Sequence, residues 1–128
     1  MAVLLNVVGA DFDVEEFLSR HPDFRPANVW RRGEVGYRER VTKVSGFNVR
    51  LREQCLPEDA PEIKSRLERL APALAVARTM GAALSLDVGL IVSPPRPMLT
   101  ACFPPDLIGE LARQSVTLSV SGYAGSGD

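Results

Sequence analysis

The chain is 128 residues long, a length that suits one domain with its own hydrophobic core. Hydrophobic residues make up 45% of it and charged residues 24%, the ordinary balance of a globular protein. No apolar run is long enough to span a membrane, and no basic residue precedes the apolar segment 2–8 as it would in a signal peptide. We therefore expect a cytoplasmic protein without a membrane association.

The net charge of −1 conceals an uneven distribution of charge. Between Arg25 and Arg52 there are eight basic residues and two acidic ones, and the rest of the chain carries the balancing negative charge. Such an asymmetry is typical of a face that binds a partner. The two cysteines, Cys55 and Cys102, are too few for a disulfide framework and are not spaced as a metal or redox pair, so we expect reduced thiols.

The N-terminal part of the chain predicts a strand followed by a helix. Residues 2–8 are apolar and partly β-branched, as in a buried strand. Asp13 with Glu16 forms an acidic capping pattern at the start of a helix. That helix should end near His21, because Pro22 disfavours helical geometry in the residue before it.

The next segment predicts a long loop and then a strand. Residues 23–40 are polar, contain two glycines and hold Trp30, and we expect an exposed loop there. Residues 41–52 predict a strand, in which Gly46 indicates a bulge. In this strand apolar residues alternate with polar ones that should face solvent: Phe47, Val49 and Leu51 against Asn48, Arg50 and Arg52.

A second helix is predicted to begin at Asp59, with a kink or a division in two at Pro72 and a stop at Gly81. Apolar residues then alternate with small or polar ones over residues 84–90, as in a strand. The prolines of residues 94–97 predict a stiff turn that leads into a short strand over residues 98–103, so that the two strands form a hairpin.

The C-terminal part predicts a third helix and a last strand. Pro104 and Pro105 open the helix, and Leu107, Ile108 and Leu111 should face inward. Residues 116–120 predict the strand. The tail of residues 122–128 is small and polar, and we expect it to be flexible.

Together these elements predict a single α+β domain over residues 1–121 and a flexible tail over 122–128. Helices interleaved with half-exposed, alternating strands indicate a single-layer mixed or antiparallel sheet of about five strands. The three helices should pack on one face of this sheet.

We find no catalytic constellation, and we expect neither a metal nor a cofactor. His21 is the single histidine and is better explained as a helix-end residue than as a ligand or a base. The acidic cluster from Asp11 to Glu16 lacks the frame of a calcium loop, and helix capping explains it. The glycines at 33 and 36 lack the lysine and the context of a phosphate-binding loop.

The basic segment is the best candidate for a partner-binding site. Trp and Arg side by side on a loop are the residue types enriched at interface hot spots. Nucleic acid is not the favoured partner, because the pI is about 5.9 and the remainder of the chain is acidic. The competing interpretation is that these arginines pair with carboxylates of the same chain. The candidate partner-binding residues are Trp30, Arg31, Arg32, Asn48, Arg50 and Arg52.

Several short motifs, each unspecific alone, resemble those of a small bacterial domain family of unknown function. They are Asp11-Phe12-Asp13 with Glu16-Phe17, Trp30-Arg31-Arg32-Gly33, Gly46-Phe47-Asn48-Val49, Leu84-Ser85-Leu86-Asp87-Val88, Pro105-Asp106-Leu107-Ile108 and Ser121-Gly122-Tyr123. The resemblance implies a compact α/β fold and no transferable catalytic residues. It also implies relatives that look like immunity proteins encoded beside bacterial toxins.

Two functions therefore remain open at this point. The first is a non-catalytic protein-binding module of the immunity type, which neutralises a toxin by covering its surface. The second is a small-ligand binder or enzyme whose site is assembled from scattered residues, with arginines of the 23–40 loop holding an anionic ligand. The oligomeric state does not follow from the sequence.

Overall fold

The computed structural model describes residues 2–36, 40–52, 60–95, 98 and 100–125, with the side chain of Arg52 excepted. These residues form five strands and three helices. In chain order the elements are β1 (Ala2–Gly9), α1 (Val14–Arg20), β2 (Asn28–Trp30), β3 (Ser45–Arg52), α2 (Ala60–Thr79), β4 (Ala83–Val92), α3 (Pro105–Arg113) and β5 (Val116–Ala124).

The five strands form one mixed sheet in the order β2-β3-β1-β4-β5. Neighbouring strands are antiparallel except β4 and β5, which are parallel and joined through α3. The first six elements have the β-α-β-β-α-β topology of the ferredoxin-like arrangement, with β4-β1-β3-β2 as its strand order. α3 and β5 extend that arrangement by one strand, and the predicted α+β class is confirmed.

One face of the sheet is apolar because alternate residues of β1, β3 and β4 are apolar and the pairing of these strands places them side by side. In β1 the buried residues are Val3, Leu5 and Val7. Leu5 lies between Val49 of β3 and Leu86 of β4, so the alternating apolar residues of three strands meet on the same side. All three helices add their buried residues to the same core cluster, which confirms the prediction that they pack on one face.

Four phenylalanines attach α1 to this face. The ring of Phe17 lies 5.6 Å from that of Phe12 and 5.5 Å from the rings of Phe24 and Phe47, measured between centroids. The helix begins as predicted, because the Asp13 carboxylate accepts the backbone N–H of Glu16 at 3.1 Å. It ends at His21, whose backbone N–H donates to the Phe17 carbonyl at 3.0 Å.

α2 is one continuous helix from Ala60 to Thr79, so of the two alternatives predicted at Pro72, a kink or a division in two, the division is wrong. Pro72 removes a hydrogen bond from the carbonyl of Glu68, and both residues are exposed, so water can satisfy that carbonyl. The predicted stop is confirmed: Gly81 has φ +95°, and the Ala82 N–H donates to the Ala77 carbonyl at 3.0 Å. The predicted start at Asp59 lies outside the described residues.

Strand β2 falls inside the segment predicted as a loop. Its backbone pairs with β3, Val29 opposite Phe47 and Trp30 opposite Gly46. The Asn48 carbonyl accepts the N–H of Ala27 at 2.8 Å. Three residues are too few to show the alternating pattern by which a strand is predicted from sequence. The strand forms because its backbone pairs with β3.

The strand and hairpin predicted over residues 98–103 are wrong: none of the described residues there lies in a strand. The position beside β4 is occupied by β5, which pairs with it from Leu84 to Val92. Met98 and Cys102 are exposed and Phe103 packs against the core, so the described part of this stretch contacts the core without joining the sheet.

The C-terminal elements differ from prediction in two places. Leu107 and Leu111 are buried as predicted, but Ile108 is 41% exposed, because it lies on the flank of α3 that no described residue covers. β5 extends to Ala124, beyond the predicted end at 120, so residues 122–124 of the predicted tail belong to a strand. Parallel pairing with β4 supports them. Residues 126–128 lie outside the described residues.

Gly46 marks a close approach of two strands rather than the predicted bulge. A Cβ atom at Gly46 would lie 2.3 Å from the Val7 carbonyl oxygen and 2.9 Å from Val8 Cα, both backbone atoms. The irregularity in pairing lies at the other end of the strands, where Val3 pairs with Arg52 and Leu4 with Arg50. Leu51 is the extra residue there.

Two glycine-to-alanine substitutions should have opposite effects on stability. Gly46→Ala should lower the free energy of unfolding by about 1–3 kcal/mol, because the backbone of β1 must move to admit the methyl group. Gly109→Ala is the matched control: nothing lies within 4 Å of a Cβ at this helical position, so alanine should raise stability by about 0.5–1 kcal/mol. Urea unfolding measures both changes, and equal effects would contradict this packing.

Candidate functional site

The face of the sheet opposite the helices carries none of the described helices. We call it the open face. It consists of the alternate residues that point away from the core, and its strands β1 and β4 present partly buried side chains, whereas those of β5 are exposed. Its residues include Leu4, Asn6, Val8, Asn28, Trp30, Asn48, Arg50, Ser85, Asp87, Thr117 and Tyr123.

A row of amide and hydroxyl side chains crosses the open face over all five strands. Asn28 pairs with Asn48, Asn48 with Asn6, Asn6 with Ser85, and Ser85 with Thr117. We call this set the amide row. The three asparagines are all those in the chain, so the sheet register brings every asparagine to one line.

The amide row is organised by hydrogen bonds between strands. The Asn48 side-chain oxygen accepts the backbone N–H of Asn28 at 3.0 Å and its Nδ2 at 3.2 Å. Asn6 Nδ2 donates to Ser85 Oγ at 3.4 Å and to the Asp87 carboxylate. These bonds hold the amides in fixed orientations, so the row presents a preset pattern of donors and acceptors.

Two residues of opposite charge and two aromatic rings surround the amide row. Arg50 and Asp87 flank Leu4 in the next cross-strand row, one on each side. Trp30 lies opposite Gly46 on the same side as Asn28, since the intervening Val29 packs against the core. Tyr123, at the far edge, is 60% exposed. The open face is thus polar in the middle and aromatic at two margins.

The structure brings together three of the six predicted partner-binding residues. Trp30, Asn48 and Arg50 share the open face; strand alternation predicted this for Asn48 and Arg50, whereas Trp30 reaches the face through β2. Arg31 and Arg32 follow β2 at the end of the sheet, where β1 turns toward α1. Arg52 belongs to β3, where its backbone pairs with Val3 of β1, and its side chain lies outside the described part of the structure.

Arg31 and Arg32 form ion pairs with carboxylates of the same chain. The Arg31 guanidinium donates to Glu15 of α1 and to Glu34 at 3.3 Å, and these hydrogen bonds raise the pKa of Arg31 above its usual value. Arg32 lies 3.3 Å from the Asp11 carboxylate, and its backbone N–H donates to Ser45 Oγ at 2.8 Å. At these two residues the structure follows the competing interpretation, in which arginines pair with carboxylates of the same chain.

The sequence did not assign eight of these open-face residues to the site: Leu4, Asn6, Val8, Asn28, Ser85, Asp87, Thr117 and Tyr123. A signal for one of them was present, because asparagine is depleted in strands and Asn6 interrupts an apolar one. Asp87 is the charged residue among the small or polar positions that alternate with apolar ones in β4. Their meeting depends on register, which a single sequence does not specify.

Other candidate groups point to structural roles. His21 lies over the Phe17 ring at 4.6 Å between centroids, on the helix side of the sheet. Among the described residues, no group of His, Cys, Asp or Glu is arranged to hold a metal ion. No helix in the described ranges has the length and apolarity needed to cross a membrane. A groove between α2 and α3 is lined by mixed charges, among them Lys64, Glu68 and Asp106.

The most buried polar cluster joins α3 to α2. Only 7% of the Glu110 side chain is exposed, and it accepts from Arg113 Nε at 2.9 Å and from Gln114 Nε2 at 2.6 Å. Gln114 also donates to the Leu67 carbonyl at 2.9 Å. Hydrogen bonding by Arg113 lowers the pKa of Glu110 below its usual range, although burial opposes the shift. This cluster fixes one helix against the other.

Comparisons of the chain with protein-family models, with curated proteins and with solved structures gave no match.

The lowered pKa of Glu110 predicts a specific loss of stability in acid. Because the folded-state pKa lies below the unfolded one, the contribution is present above the unfolded pKa and disappears as pH falls through the folded value. Between about pH 5 and pH 3, the free energy of unfolding should therefore fall more steeply for the wild type than for Glu110→Gln. The matched control is Glu16→Gln, whose exposed pair with Arg20 contributes little. Urea unfolding across this range gives the slopes, and identical slopes for wild type and Glu110→Gln would contradict the assignment.

Proposed function

We propose that this protein binds another protein through the open face and acts without catalysing a reaction. The observation that carries the proposal is the amide row, in which Asn6, Asn28 and Asn48 are held in line by cross-strand hydrogen bonds. Preset donors and acceptors lose little conformational entropy on binding, which favours recognition of a polar protein surface.

The shape of the open face supports a macromolecular partner. A five-strand sheet is about 20 Å across at a strand spacing of 4.7–4.9 Å, which is the scale of a protein interface. Trp30 at one margin and Tyr123 at the other are residue types enriched in interfaces. Arg50 and Asp87 have opposite charges, so the partner should carry a complementary pair rather than a uniformly acidic surface.

We further propose that the protein is of the immunity type, a cytoplasmic inhibitor that covers the surface of a toxin. This follows the resemblance to a small bacterial family with immunity-like relatives. An inhibitor of this kind needs a complementary surface rather than a catalytic group, and the open face supplies one.

The alternative, a binder of small anionic ligands, receives less support. It requires arginines of the 23–40 segment to hold the anion, but two of the five, Arg31 and Arg32, already pair with Glu15, Glu34 and Asp11. An anion bound at these two arginines would have to displace those carboxylates.

Co-expression tests the biological part of the proposal. The product of the neighbouring gene should arrest growth when expressed alone, growth should recover when this chain is co-expressed, and the two proteins should elute as one complex. A harmless neighbour, or a toxic one that forms no complex, would contradict the immunity role.

Substitutions test the surface itself. Arg50→Glu and Trp30→Ala should each weaken partner affinity about tenfold or more, which corresponds to 1.4 kcal/mol. The matched control is Arg20→Glu, the same charge reversal at an exposed residue of α1 on the helix side, and it should leave affinity within about twofold. Titration calorimetry gives the affinities, and melting temperatures verify folding. A loss of affinity in Arg20→Glu with wild-type binding by Arg50→Glu would place the interface elsewhere.

A further inference from the structure

The outer edge of β5 is a second surface with a definite chemical character. β5 ends the sheet, and no other described segment pairs with it on that side. Its nine residues, Val116 to Ala124, include no charged residue and no proline. Natural proteins protect exposed edges with such residues or with short strands, because unpaired backbone groups recruit further strands.

The opposite edge of the same sheet is protected. β2 has three residues and is followed directly by Arg31 and Arg32. Pro26 precedes it by two positions and has no N–H to donate. The contrast between the two edges of one sheet indicates that the β5 edge is kept open for a partner strand.

The direction of the backbone groups on this edge follows from one hydrogen bond. The Gly125 N–H donates to the Val92 carbonyl of β4 at 2.7 Å. Peptide groups of a strand alternate between its two sides, so those of Ser119, Ser121 and Tyr123 also point toward β4. The N–H and C=O groups of the intervening residues point away from the sheet, and these are Val116, Leu118, Val120, Gly122 and Ala124.

We propose that β5 pairs antiparallel with β5 of a second copy of this chain, about a two-fold axis at Val120. The proposal is independent of the function proposed for the open face. An axis at Val120 uses the outward groups: Val120 bonds its own counterpart, Leu118 bonds Gly122 of the other copy, and Val116 bonds Ala124. Five outward residues on each strand then form ten hydrogen bonds, and two five-stranded sheets become one of ten strands.

The side chains match this register. Residues that face each other across the axis combine a large side chain with a small one, Leu118 with Gly122 and Val116 with Ala124. Ser119 faces Ser121, and Thr117 faces Tyr123. A Cβ at Gly122 has open space around it, with no heavy atom within 4 Å, so the partner's Leu118 has room beside it. β-branched and aromatic cross-strand pairs stabilise such ladders.

Exposed apolar side chains concentrate at the same edge. Val120 is 49% exposed although it lies on the helix side of the sheet. On α3, Glu110 and Gln114 face α2, and Leu107 and Leu111 face the sheet; helical spacing therefore places Ile108 on the flank away from α2, above the free edge. In the dimer, Ile108 and Val120 of both copies would form one apolar cluster.

Sedimentation and cross-linking of the full chain test this pairing. The wild type should be a dimer by analytical ultracentrifugation, and Val120→Lys should raise its dissociation constant roughly tenfold or more, because two like charges would meet at the axis. The matched control is Val35→Lys, the same substitution at a 69% exposed residue away from β5, which should dimerise as the wild type. Circular dichroism verifies that both variants are folded.

The register has its own test in a Cys55→Ser, Cys102→Ser background. Val120→Cys should form an intermolecular disulfide readily, since directly paired residues have Cα atoms about 5.5 Å apart. Val116→Cys should not, because the two copies of residue 116 would lie roughly 27 Å apart along the strands. A monomeric wild type, unchanged dimerisation of Val120→Lys, or equal cross-linking at both positions would overturn the proposal.

Discussion

The register of β1 between β3 and β4 is the constraint on which the rest of this molecule depends. Leu5 faces Val49 on one side and Leu86 on the other, so the alternating apolar residues of three strands collect on one face. Only that face offers enough apolar surface to hold helices, and α1, α2 and α3 all pack there. A slip of one residue would move every one of these side chains to solvent.

The same register determines what the other face presents. Alternation sends Asn6, Asn48 and Ser85 away from the helices, and pairing brings them into line. The amide row is thus the complement of the core, produced by the same strand geometry. This polar, preset face opposite the packed one is the basis of the protein-binding function proposed above.

Strong local patterns predicted most of the fold, whereas features that depend on distant pairing were missed. The Asp13 cap, the Gly81 stop and the alternation in β3 and β4 are local, and each was predicted correctly. β2 was missed because its pairing depends on Asn48, twenty residues away. Without β2, the β-α-β-β-α-β topology could not be predicted. The strand wrongly predicted over residues 98–103 made the predicted number of strands equal to the observed five by coincidence. At the site, the alternation of residues in β3 predicted the orientation of Asn48 and Arg50. The carboxylates that pair with Arg31 come from other parts of the chain, Glu15 from α1 and Glu34 from the segment after β2.

The side-chain amide signals of asparagine in a ¹H–¹⁵N NMR spectrum test the open face most directly. The chain has three asparagines, all in the amide row, so three pairs of signals report on this surface and on nothing else. Gln114, buried between α2 and α3, is an internal reference on the other side of the sheet. Addition of the partner should shift or broaden the signals of Asn6, Asn28 and Asn48 and leave that of Gln114 in place. Unmoved asparagine signals in a saturated complex would contradict the account.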